Sequence, residues 1–347
     1  MPFSSCLKRL FLLGFAALLL AGCGDKGEMV ISPRFEDAGD FAANGLARVR
    51  VGDKWGYINE KGEEVISPRF DNASFPSMHP GDFAANGLAR IWVKDGDRYG
   101  YIDEKGEFVI PPRFRGAGNF AANGLTRAKD NGKWGYINAS GAFVISPRFD
   151  DMFISFSPGD FAANGLARVL AKDGAGYIDA SGRFVIPPRF VPAGDFANGL
   201  AMAGMDKKVG YIDEKGEFVI SPRFTSSNAG DFAANGLAAL AVDGKWGYIN
   251  RQGEFAIPPS LRAAGPFAAN GLARAKAMAP YPRGVPEHVD VLNPGYGWGY
   301  INEKGEFVIP ANFFKARDFA ANGLAAVATN NGKWGYYRAP AKYRKAR

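Results

Sequence analysis

Leu46-Ala47-Arg48-Val49-Arg50-Val51 alternates apolar and polar side chains, the two-residue period of a half-buried β-strand. Gly52-Asp53 supplies turn chemistry, and the aromatic and branched run Trp55-Gly56-Tyr57-Ile58 predicts a second strand. Glu60-Lys61-Gly62 fits a short hairpin loop with glycine where φ must be positive. Glu64-Val65-Ile66 predicts a third strand, stopped by Pro68. The product is a three-stranded antiparallel meander, with room for a short fourth strand between Asp71 and Phe83. A single meander cannot bury both of its faces and needs neighbours.

The neighbours are copies of itself. Three phrases recur in fixed order, typified by Val65-Ile66-Ser67-Pro68-Arg69-Phe70, Phe83-Ala84-Ala85-Asn86-Gly87-Leu88-Ala89 and Lys54-Trp55-Gly56-Tyr57-Ile58. The Gly-Tyr of the last phrase returns eight times, at Gly56, Gly100, Gly135, Gly176, Gly210, Gly247, Gly299 and Gly335. Repetition at this period signals a solenoid, propeller or array. A residue present in every copy builds the copy, so function is sought where the copies differ.

These phrases resemble the bacterial WG repeat family, over residues 29–338. Tyr99, Ala175 and Val209 stand where the family's tryptophan is expected. The resemblance implies a β-rich repeat domain; it implies no reaction, cofactor or catalytic residue.

The order of phrases bears on closure. The chain enters its repeats with a third-strand phrase, Val30-Ile31-Ser32-Pro33-Arg34-Phe35, and leaves them with the hairpin phrase Lys333-Trp334-Gly335-Tyr336-Tyr337. Pairing the two would complete one unit from both chain ends and leave no sheet edge open at the seam. The expected fold is therefore all-β, a closed eight-bladed β-propeller whose last blade is completed by the N-terminal strand. An open β-solenoid or superhelix is the competing architecture.

Before the repeats, Lys8 and Arg9 precede an apolar run from Leu10 to Leu20, which is short for a membrane span and laid out like a secretory signal. Leu20-Ala21-Gly22-Cys23 resembles a lipobox. The expected organisation is a lipoprotein signal peptide at 1–22, an acylated Cys23 with a short linker through 28, the repeat domain at 29–338 and a basic tail at 339–347. Gly24, in place of an aspartate that would favour inner-membrane retention, points to an outer-membrane address facing the periplasm. Cys6 falls in the removed segment, so no cysteine pair is left for a disulfide.

The net charge of +7 changes little. Lys342, Arg344, Lys345 and Arg347 lie in the last six residues, and the repeat body is close to neutral. A nucleic-acid binder needs a basic face on the folded body, and the sequence offers none.

Arg34, Arg69, Arg113, Arg148, Arg189 and Arg223 recur in the strand phrase; Asp40, Asp82, Asp160, Asp195, Asp231 and Asp318 recur before the next phenylalanine. Ser260 and Pro266 replace both in the seventh copy, which favours structural ion pairs between the two sets over an anion-binding surface. His79 and His288 have no metal-ligand spacing, and no nucleophile–base pattern occurs. Neither a metal nor a cofactor is expected, and no enzymatic activity.

Three insertions break the repetition: Asp71 to Gly81 with Phe75, Met78 and His79; Asp150 to Gly159 with Met152, Phe153 and Phe156; and Ala277 to Gly297 with Tyr281, Arg283, His288 and Tyr296. In a meander the loop between the first and second strands shares an end with the exit of the third, so all three should project from one face. Apolar residues on long loops over a rigid scaffold suit recognition. The expected function is a membrane-anchored, non-enzymatic binding or scaffold module for an envelope protein. A glycan or peptidoglycan binder, with Tyr281 and Tyr296 stacking on sugar, and an envelope enzyme with a central-channel site are the competing readings.

Overall fold

The computed structural model describes residues 27–72, 79–151, 157–225, 229–277 and 297–344. The described residues contain β-strands and one short 3-10 turn, Ala341–Tyr343, and no α-helix. They form eight antiparallel units of three or four strands, here lettered a to d within each unit. Unit 1 runs Asp37–Ala38 (a), Ala47–Val51 (b), Lys54–Ile58 (c) and Glu64–Asp71 (d), paired in that order. Strands b and c are those expected from the pattern; strand d is longer than expected, because Pro68 sits in a bulge and does not stop it, and pairing resumes at Phe70 and Asp71. The short fourth strand lies at the opposite edge from d. It is two residues long in units 1, 3 and 8. Between units 6 and 7 it merges into one continuous strand, Phe255–Phe267.

Strand c is buried on both faces because a neighbouring sheet lies on each side. Trp55 and Tyr57 pack with Phe83, Ile91 and Ile102 of unit 2. Ile58, pointing the other way, packs with Ile31, Phe35 and Tyr336. Each unit's c-strand tyrosine meets the phenylalanine of the next unit's second phrase at 4.5–4.8 Å between ring centroids. Each tyrosine hydroxyl also donates to a backbone carbonyl of the next unit, Tyr57 to Gly81 and Tyr136 to Gly159 among them. Burying a phenol is tolerable only when its hydroxyl is paired, and the repeat supplies the acceptor.

The same bond joins the last unit to the first: Tyr336 Oη donates to the Gly39 carbonyl at 2.8 Å. Strand Glu28–Phe35 pairs antiparallel with Trp334–Arg338 and serves as strand d of unit 8. Inter-unit contacts thus run from each sheet to the next and from the eighth back to the first. The a edges lie close together, with Asp37 and Arg317 of successive units 3.4 Å apart. At the d edges, Val109 and Val185 are about half exposed. Prolines in those edge strands, such as Pro111-Pro112 and Pro187-Pro188, remove donors to which another strand could pair.

The glycine of Trp-Gly-Tyr is required by close approach rather than by φ. Strand d bulges opposite it: Trp55 pairs with Phe70 and Tyr57 with Ile66, so Ser67-Pro68-Arg69 arches over Gly56. A Cβ on Gly56 would overlap the Ile66 carbonyl oxygen and lie 2.7 Å from the Pro68 nitrogen.

Candidate recognition face and inner ionic pairs

The arginine on that bulge is not the partner of the recurrent aspartate, and the expected pairing is corrected here. Arg69 Nη2 donates to the Gly106 carbonyl in the next unit's c–d turn at 2.7 Å, and its guanidinium lies 5.4 Å from the Phe70 ring centroid. Arg34, Arg113, Arg148, Arg189 and Arg223 repeat this contact on Gly62, Gly141, Gly182, Gly216 and Gly253. The eighth unit has no c–d turn, because its strand d comes from the N-terminal end. Asn312, which stands where arginine would reach for that turn, has no such carbonyl to bind.

The aspartates pair with another arginine, that of the Leu-Ala-Arg phrase on strand b. Arg48 meets Asp82 at 3.5 Å, Arg127 meets Asp160 at 2.7 Å, and Arg168 meets Asp195 and Arg274 meets Asp318 at 2.9 Å, each across two units. Met202 and Ala239 interrupt the arginine series. Pro266 therefore accompanies Ala239 in the unit before it, and its coincidence with Ser260 was misleading. The signal was present in the sequence as Arg48, Arg90, Arg127, Arg168 and Arg274 at constant distance from the Gly-Leu turn.

Unit 8 achieves the same charge by exchange. A Cβ at Gly39 would lie 2.6 Å from Arg48 Cγ, so a strand-b arginine requires glycine there. In unit 8 Ala326 vacates the strand-b position and Arg317 takes the glycine's place. Its guanidinium sits 5.3 Å from the Trp334 centroid, comparable with Arg274 at 5.2 Å from Trp298.

Asp40 lies among these groups. Burial pushes its carboxyl up to about 6; Arg317 and Arg48 oppose the shift, while Asp82 and Asp318 reinforce it. Its Oδ1 is buried with no hydrogen-bonding partner among the described residues. Burial likewise raises Asp160, Asp231 and Asp318. A carboxyl raised from 3.8 to about 6 favours the fold fully below its unfolded value, and that contribution is lost as pH rises through about 6. Asp40→Asn is therefore expected to raise the unfolding free energy near pH 8 by about 1–2 kcal/mol after discounting partial exposure, with little change near pH 4. Thermal unfolding at the two pH values checks this, and a loss of stability near pH 8 would refute it.

Of the residues nominated for recognition, His79 is described; its imidazole lies 4.9 Å from the Trp55 ring, and its carbonyl accepts from Arg90. Phe75, Met78, Met152, Phe153, Phe156, Tyr281, Arg283, His288 and Tyr296 lie outside the described residues, as does Cys23. The roots of the three insertions are described. The first leaves after Asp71, whose Cα partner is Lys54 at the start of strand c. The second leaves after Asp151, which accepts from Trp134 Nε1 and pairs with Lys129. The third leaves strand b of unit 7, Ala273–Ala277, after its last residue, next to the pairing of Lys276 with Trp298. All three roots sit at the end of the sheets where b finishes and c begins. At the other end Asn-Gly turns engage c–d turns, Asn44 donating to Glu104 and Asn322 to Glu60.

The repeat geometry corresponds to a known family. WG containing repeat matches cover residues 24–55, 55–96, 99–134, 134–174, 176–208, 210–246, 246–277 and 298–334. The chain belongs to the WG containing repeat family. No curated protein matches it. Among solved structures, this WG repeat chain is similar to a eukaryotic initiation factor at 10% identity, over 81% of this chain and 78% of that one, with a TM-score of 0.50. It is also similar to the dihydro-heme d1 dehydrogenase NirN in complex with DHE at 12% identity, over 89% and 76%, with a TM-score of 0.50. A streptogramin B lyase is matched at 16% identity over 77% and 96%, with a TM-score of 0.43. Likeness at such identities concerns the fold alone, a propeller-like repeat architecture found in proteins named for different activities.

Proposed function

We propose that the chain is a closed eight-bladed β-propeller that works as a lipid-anchored, non-enzymatic binding module of the bacterial cell envelope, recognising a protein partner through its insertion face. One observation carries the reading. The repeated polar groups are engaged in packing one unit on the next, whereas three non-repeated segments leave from a single end of the sheets. Tyrosine hydroxyls, strand-phrase arginines and Leu-Ala-Arg arginines are consumed by the scaffold; the insertions have no counterpart in the other repeats. Long loops rooted on a rigid framework are where recognition concentrates. Cyclic inter-unit contacts support closure, and the lipobox-like Leu20-Ala21-Gly22-Cys23 supports acylation of Cys23 and an outer-membrane address.

The test replaces Met278 to Pro294 by a short glycine-containing turn and crosslinks mature protein in native envelopes. The variant is expected to keep the wild-type circular dichroism spectrum and to lose a specific captured protein. Undiminished capture by the folded variant would overturn the assignment of this face. Retention of wild type on purified cell wall, lost in the variant, would instead identify a glycan ligand for Tyr281 and Tyr296.

A further inference from the structure

The strand path determines which face the anchor leaves. Strand d of unit 8 starts at Glu28, whose Cα partner is Arg338 at the finish of strand c. In every other unit that end carries the c–d turn, as between Ile58 and Glu64. The chain's other end returns there too: Arg338 and Arg344 lie 3.3 and 3.9 Å from the Glu28 carboxylate. The insertions depart from the opposite end. We propose that the c–d turn face lies against the lipid surface and that the insertion face is presented away from it. This rests on acylation of Cys23.

The tether is short. From Cys23 to Gly27 the chain can span at most about 14 Å, and the bulged strand from Glu28 to Phe35, paired along the five residues Trp334–Arg338, carries the chain about 13 Å to the other end. While Glu28 stays paired, the fully stretched tether only just reaches the level of the insertion roots, so it holds the c–d face nearest the bilayer.

The c–d face also has an interfacial composition at its rim. Phe108, Phe184, Phe255 and Phe307, at the start of strand d, are more than a third exposed, and Lys105 and Lys304 stand in the adjoining turns. Exposed phenyl groups beside snorkelling lysines suit the boundary of headgroups and acyl chains. A concavity of about 420 Å³, lined by Gly45, Asn59, Glu60, Lys61 and Arg338, opens on this face at the seam where the anchor chain arrives. Turn carboxylates such as Glu60, Glu104, Glu214 and Glu303 repel anionic headgroups, so the orientation comes from the tether and apolar rim and should survive in neutral lipid.

The experiment uses the full acylated chain in phosphatidylcholine vesicles carrying a lipid-borne spin label. Single fluorophores are placed through Lys105→Cys and Lys215→Cys on c–d turns, through Asp173→Cys on a b–c turn, and through Lys245→Cys at the strand-c start beside another b–c turn. Quenching is expected to be several-fold stronger at positions 105 and 215. Equal or reversed quenching, in protein that floats with the vesicles, would overturn the orientation alone. Mass spectrometry and flotation of Cys23→Ser separate the two ideas: a wild-type chain without an acyl group ends the anchor reading, and this proposal with it.

Discussion

Deletion of residues 27–36 is expected to unfold or aggregate the protein, although the segment is only an outer strand of one unit. The deletion strips strand d from unit 8 and leaves strand c, Trp334–Arg338, as an open edge. It removes Ile31 and Phe35, each 3% exposed, from a cluster shared by Phe41, Val49 and Ile58 of unit 1 and Leu324 and Tyr336 of unit 8. Burial of each such side chain is worth about 1.5–3 kcal/mol, against a total stability of about 5–15 kcal/mol for a typical domain. An uncovered apolar strand is in addition a template for association. An open stack would respond differently, fraying at its first unit while the others held. Thermal unfolding with light scattering distinguishes the two; an unchanged midpoint would show that the seam pairing contributes nothing.

A permutant provides the complementary result. Joining Arg338 to Glu28 by Glu-Lys-Gly, the residues between Asn59 and Glu63, to which Arg338 and Glu28 correspond in register, and opening the chain within 152–156 should give a folded protein at least as stable as wild type. Its eighth unit would gain the c–d turn that it alone lacks.

Much of this architecture was legible because the phrases carry their own periods. The alternation in Leu46–Val51 and the aromatic run at Trp55–Ile58 became strands b and c within a residue. The unpaired third-strand phrase at Val30 foretold its pairing with the unpaired hairpin at Trp334. Strand a was harder, since a two-residue strand such as Asp37–Ala38 has no period to show. The ionic pairs were misassigned for a related reason. Arg34 and Asp40 are close in sequence, but Asp82 is reached by Arg48 from the preceding unit, and repetition at constant spacing makes every arginine an equally plausible partner. The place of the insertions followed from topology, and their roots at Asp71, Asp151 and Ala277 agree with it. What they bind depends on side chains that occur once, which no internal comparison can interpret.

The glycine between tryptophan and tyrosine was the feature least explained by pattern, and Gly135→Ala should be among the most damaging single substitutions. Gly135 has no positive φ, so alanine suits its backbone conformation and any cost is steric. That cost is severe, because the bulge of strand d brings backbone rather than a yielding side chain over the Cα. A Cβ would overlap the Ile145 carbonyl oxygen and lie 2.8 Å from the Pro147 nitrogen. Relief requires lifting strand d away from strand c, loosening the Tyr136–Ile145 pairing and the Arg148 contact to Gly182. Overpacking a core costs about 1–3 kcal/mol where side chains can shift, and a loss at or above the top of that range is expected here. Gly132 is the control: its φ is +81° and a Cβ there meets nothing within 4 Å, so alanine bears only the left-handed penalty of about 1–2 kcal/mol. Urea unfolding should rank Gly135→Ala well below Gly132→Ala in stability. The reverse order would mean that the bulge yields freely, and that the repeated glycine answers to something other than the close approach of strand d.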